Sequence, residues 1–153
     1  MKEFDYYVFI DYSDNLIGYI ILKKENLRDC LCNISRFRHY RESKKRKLYL
    51  KNAKSTFNKK DLLRYFVKTK VRNVIETPEI FTDIAEFLKI VKGSKIFISV
   101  DNRQYKNFEK FVKIIDGENI RVIKESDLKE HSPEYRINLV LDTWLNIERM
   151  KEK

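Results

Sequence analysis

The sequence predicts an α/β protein with a mixed five-stranded sheet and helices on both faces. Three observations carry this. Two β-rich apolar runs near the N-terminus are separated by a short polar break, which is hairpin spacing. A short segment that alternates polar and apolar follows. Apolar residues then recur at helical spacing in four stretches, with two short β-branched runs set among them. Three antiparallel strands come first, and right-handed crossovers then add parallel strands. A doubly wound sheet would need alternating strand and helix from the start, and the tight first break argues against it.

Residues 4–13 read as a strand, aromatic and β-branched. Asp14-Asn15 is turn chemistry, and residues 16–24 pair back as the second strand. Residues 25–33 form a helical turn or bend. Residues 46–51 (RKLYLK) alternate and read as the third strand, at an edge where lysines discourage aggregation. Asn58 reads as the cap of a helix over 59–70, with Leu62, Leu63, Phe66 and Val67 inward. Pro78 opens a helix to residue 91, with Ile80, Ile84, Leu88 and Val91 on one face and Gly93 as its stop. Residues 95–101 (KIFISVD) are the fourth strand. A helix over 105–115 turns Phe108, Phe111, Val112 and Ile115 inward and stops at Gly117. Residues 120–124 are the fifth strand, and Pro133 opens a last helix to about 150.

With 153 residues, 42% of them apolar, the chain suits one domain over 1–153 with a real core. No run approaches the roughly 20 apolar residues of a membrane span, and MKEFDYYVFIDY does not read as a signal peptide, so a cytoplasmic protein is expected. Cys30 and Cys32 lack zinc or redox spacing and read as small buried hydrophobes. Three glycines, at 18, 93 and 117, exclude both glycine-rich phosphate loops.

The net charge of +10 is local. Residues 28–72 hold 16 Lys and Arg against 3 Asp and Glu; the rest of the chain holds 17 against 20. At its centre, Arg36, Phe37, Arg38, His39, Tyr40 and Arg41 interleave cations with rings, and Lys44, Lys45, Arg46 and Lys47 follow. Cations neutralise phosphates, and rings stack on unpaired bases. Nucleic acid is the partner expected for Arg36, Arg38, Tyr40, Arg41, Lys44, Lys45, Arg46 and Lys47. The bland alternative is a solvated lysine-rich face.

Asp11 sits inside an apolar run, where an unpaired charge is costly. If strand four lies parallel to and beside strand one, giving the order 3-2-1-4-5 with strand two antiparallel, Asp11 and Asp101 meet at the carboxyl edge where such sheets bind ligands. Paired carboxylates suit hard divalent cations, Mg2+ or Mn2+, and two such ions support phosphodiester cleavage. Turn capping by Asp11 and helix capping by Asp101 are the alternatives.

FIDYSD (residues 9–14), SVDNRQ (99–104) and INLVLDTW (137–144) resemble, in order, short motifs of the ribonuclease H-like superfamily. They are most similar to a poorly characterised prokaryotic group that opens on a "fIDeSG" strand. Asp14 stands where that group has glycine, and Leu139 where it has glutamine. The resemblance implies that Asp11, Asp101 and Asp142 are catalytic metal ligands for Mg2+- or Mn2+-dependent nuclease chemistry. Helical periodicity instead puts Asn138, Asp142, Asn146 and Arg149 on the face opposite the apolar stripe, toward solvent. Asp127 or Glu134 could replace Asp142, either Glu79 or Asp83 could add a ligand, and His131 could assist product release. Two functions follow: a metal-dependent nuclease acting on RNA or DNA, or a non-catalytic nucleic-acid-binding adaptor on the same fold.

Overall fold

The computed structural model describes residues 4–34, 37–38 and 44–151. Chain order is β1 (Tyr6–Ser13), β2 (Leu16–Lys23), α1 (Lys24–Cys32), α2 (Arg46–Lys60), β3 (Phe66–Asn73), α3 (Thr77–Ile90), β4 (Ile96–Val100), α4 (Tyr105–Asp116), β5 (Ile120–Lys124) and α5 (Pro133–Lys151). The five strands form one sheet in the order β3-β2-β1-β4-β5. β2 runs antiparallel to β1 and β3, while β4 and β5 run parallel to β1.

The sheet separates two apolar layers. Tyr7, Phe9 and Phe97 pack with α1, α2 and α5 on one side. Val8, Ile10, Ile98 and Val100 pack with α3 and α4 on the other. Alternation along each strand therefore assigns its odd-numbered residues in β1, β4 and β5 to the α5 side. Asp14 turns the hairpin at φ 51°, a left-handed conformation that Asp tolerates better than most residues.

The third strand lies about twenty residues later than the sequence predicts. Residues 46–51 begin α2, because Tyr49, Leu50, Ala53 and Phe57 form one buried helical stripe. Six alternating residues were too short a window to reveal that period. The expected helix over 59–70 breaks at Asp61, which adopts φ 44°. A short 3-10 turn, Leu62–Tyr65, leads into the true edge strand, where Lys68, Lys70 and Arg72 alternate with Val67, Thr69 and Val71. Leu62 and Phe66 are buried as expected, but Val67 is exposed.

Residues 24–32 form a full helix rather than a bend. It separates the two cysteines, leaving Cys30 buried and Cys32 exposed, because positions two apart on a helix point to opposite sides. Burial pushes the Cys30 thiol up to about 12.

Candidate active site

The register builds the site. β1 and β4 pair as far as Ile10 and Val100, and β4 and β5 as far as Val100 and Lys124. The next residue on each is acidic: Asp11, Asp101 and Glu125. All three carry the parity of the α5 side. One carboxylate oxygen from each lies within 4.8 Å of the others. Asp11 is buried, with 4% of its surface exposed.

Asp142 joins them from α5. Its burial, at 6% exposure, overturns the expectation that periodicity turns it to solvent. The helix is covered on both sides, by the sheet and by α2, and the hydroxyl pair Tyr49–Thr143 at 2.8 Å ties α2 to it. The stripe of Asn138, Asp142 and Asn146 faces the acidic cluster and lines a cavity of about 850 Å³ with it. Close approach of α5 depends on Gly18, the register partner of Asp11. A Cβ there would lie 2.8 Å from Leu145 Cδ2 and 3.1 Å from the Lys70 carbonyl oxygen.

Electrostatics at the cluster are unfavourable for bare carboxylates. Burial holds the Asp11 carboxyl well above its usual range, and the charges of Glu125 and Asp142 push the same way. Burial also raises Glu125, opposed by hydrogen bonds to Asp11 and Asn138. Asp11 Oδ1 accepts the Tyr12 N–H at 2.8 Å, and the Asp11 and Glu125 carboxyls share a hydrogen bond. Asp101 Oδ1 accepts the Arg103 N–H at 2.9 Å, with the Arg103 Nε at 3.4 Å, so it braces the turn before α4 and is not that helix's cap, which is Gln104. A set of oxygen donors with this excess of negative charge fits Mg2+ or Mn2+, which take carboxylate and water oxygens.

Glu125 was missed in the sequence. It follows the fifth strand as Asp101 follows the fourth, so carboxyl-edge reasoning applied to that strand would have found it. The proposed substitutes do not join the site: Asp127 is exposed, and neither it nor Glu134 lines the cavity. Asp83 pairs instead with Lys70 and accepts the Tyr19 hydroxyl at 3.0 Å, while Glu79 contacts Lys70 at 3.1 Å and Arg72 at 3.3 Å. Asp83 therefore ties α3 to β2 and β3, and Glu79 ties it to β3. His131 sits exposed in the loop before α5, against Glu130.

Among the basic residues, Arg36, Tyr40 and Arg41, with His39, lie outside the described residues. Arg38 and Lys44, Lys45, Arg46 and Lys47 are exposed. Arg46 lines the acidic cavity; Arg38, Lys44 and Lys45 line a neighbouring one of about 760 Å³. The ring of Phe37 is not a stacking platform. It is buried and stacks on Phe57, centroids 5.5 Å apart.

Strand order and register give the chain a ribonuclease H-like α/β fold. No protein-family model matches the chain, and no curated protein matches it in sequence. Solved structures do match. The chain is similar to the ribonuclease H2 from Pyrococcus horikoshii OT3 at 17% identity and a TM-score of 0.54, over 96% of this chain and 73% of that one. It is also similar to a chain in the structure of the PCNA:RNase HII complex from Archaeoglobus fulgidus, at 10% identity and a TM-score of 0.52, over 98% and 74%. At such identities the likeness concerns the fold. No described helix is long and apolar enough to cross a membrane.

Proposed function

We propose that the chain is a Mg2+- or Mn2+-dependent nuclease acting on RNA or DNA phosphodiesters. One observation carries the reading: three acids from three adjacent strands converge within 4.8 Å at the carboxyl edge of a ribonuclease H-like sheet. Asp11, Asp101 and Glu125, with Asp142 beside them, would hold the cation. Such ions, when bound, activate water and stabilise the leaving oxygen. Burial of Asp11 makes the cluster poor as a bare protein surface and apt for a cation. The solved structures that share the fold are named as ribonucleases, which favours nucleic acid as the substrate class.

The exposed cations of α2, Arg46, Lys47, Lys51, Lys54, Lys59 and Lys60, meet no acid on that helix. With Arg38, Lys44 and Lys45 they would grip the phosphate backbone beside the acids. Arg46 spans both regions, since it starts α2 and lines the acidic cavity.

The test is cleavage of labelled RNA, DNA and hybrid duplexes with Mg2+, Mn2+ or a chelator. Cleavage should require the divalent ion, and Asp11→Asn should reduce it at least about 1,000-fold. Cleavage that survives Asp11→Asn, or that proceeds in chelator, overturns the mechanism. Salt-sensitive binding without any cleavage would favour the adaptor reading.

A further inference from the structure

We propose that Asn138 is a positioning residue that aims Glu125 at the cation site, an assignment that rests on the nuclease reading above. Asn138 lies on α5 one turn before Asp142 and is buried, with 4% of its surface exposed. Its Nδ2 donates to Glu125 Oε1 at 3.0 Å. Glu125 begins a short 3-10 turn, Glu125–Asp127, so the chain that carries it is irregular and the side chain needs an external guide. Among the described residues, Asn138 and Asp11 are its side-chain hydrogen-bond partners. Asp11 belongs to the cluster itself. That leaves the neutral amide as the one guide from outside it.

The amide orientation follows from the partner. A flipped Asn138 would set its oxygen against a carboxylate oxygen. In the orientation that donates, Oδ1 is buried and accepts no hydrogen bond from the described residues. A buried acceptor without a donor opposes folding. Leucine would fill the same space without that penalty, so packing alone does not account for an asparagine here. Aspartate would add another negative charge beside Asp142 and Glu125. Asparagine supplies the donor and no charge. Outer partners of metal-ligating carboxylates act this way, orienting the ligand and tuning its affinity.

The test is calorimetric titration of the protein with Mn2+, with folding checked by circular dichroism. Asn138→Leu should weaken Mn2+ binding about 10- to 100-fold. In a Glu125→Gln background the same substitution should change affinity less than about 2-fold, because the group it orients no longer serves as a carboxylate ligand. In cleavage, Asn138→Leu should lower kcat at limiting Mn2+ and leave KM for nucleic acid unchanged, with kcat recovering at high Mn2+. If leucine is not accommodated, Asn138→Ala gives the same comparison. Mn2+ binding unchanged by the substitution, or weakened equally in both backgrounds, overturns the positioning role alone. Wild-type protein that binds no Mn2+ overturns the nuclease reading and this assignment with it.

Discussion

Replacing Asp11 with asparagine should make the cation-free protein more stable while removing its activity. The carboxylate is buried and lies within 4.8 Å of acidic oxygens on Asp101 and Glu125. At that separation two unit charges repel by about 3.5 kcal/mol at an effective dielectric constant near 20. Partial protonation relieves some of this, so a net gain of about 1–3 kcal/mol is expected from the amide. For a chain of this size that raises Tm by roughly 2–10 °C. The amide keeps the shape of the side chain and the acceptor for the Tyr12 N–H. The pH dependence has a definite sign. Burial raises the Asp11 pKa in the folded state, so between the ordinary carboxylate value and the raised one the native protein holds a proton that the unfolded chain releases. Stability from this group therefore falls as pH rises through that window, and the fall should be smaller in Asp11→Asn. Saturating cation reverses the ranking: at about a thousand times its dissociation constant an ion that binds only the native state adds about 4.1 kcal/mol, and the variant should not receive it. The assay is thermal unfolding at several pH values, in chelator and in Mn2+. An Asp11→Asn protein that is less stable than wild type in chelator would refute the reasoning, because the carboxylate would then be a satisfied structural cap.

Three further outcomes follow from the same geometry. Gly18→Ala should cost about 1–3 kcal/mol by overpacking, since its Cβ meets Leu145 and the Lys70 carbonyl; urea unfolding measures it, and unchanged stability would show that α5 moves freely. Tyr49→Phe should cost about 1–2 kcal/mol, because its hydroxyl joins Thr143 and both backbone groups of Arg38; salt-dependent nucleic-acid binding should weaken while Mn2+ affinity holds, as titrations of each would show. Replacing Lys44, Lys45, Arg46 and Lys47 together with alanine should flatten the slope of log affinity against log salt by up to about 3–4; a slope that does not change would place the nucleic acid elsewhere.

How much could be read from the sequence depended on whether the signal was local. Strands one, two, four and five carry dense β-branched and aromatic runs, and their order follows from hairpin spacing and crossover handedness. The third strand failed because RKLYLK is ambiguous over six residues, while FVKTKVRN, with cations at alternate positions, resembles a solvated helix end. That error propagated. With residues 46–51 read as strand, the helix that covers the outer side of α5 is missing from the reading; Leu139, Leu145 and Met150 blur the apolar stripe and hint at cover on two sides, but periodicity points Asp142 to solvent. Asp11 and Asp101 were legible because a charge inside or just after an apolar strand stands out. Glu125 was not, since it follows a weaker strand and opens a polar stretch that blends with it.

The polar stripe on α5 also accounts for the departure at Asp14. Glycine suits a left-handed turn residue, and aspartate there carries some backbone strain. Its carboxylate receives Arg149 Nη1 at 2.6 Å, and Arg149 Nη2 reaches Asn146 Oδ1 at 2.7 Å. Ser13 donates to the same Asn146 oxygen at 3.1 Å. The hairpin turn that follows Asp11 is thereby fastened to the helix that carries Asp142, two residues along the strand and one turn along the helix from the acids themselves. A glycine at 14 would permit the turn but leave Arg149 without this carboxylate. In the stripe of α5, then, Asn138 touches Glu125, Asp142 faces Asp11, and Asn146 and Arg149 hold the turn. Polarity that reads in one dimension as a solvated face is, in the fold, the contact between a helix and the edge of a sheet where charge has been gathered.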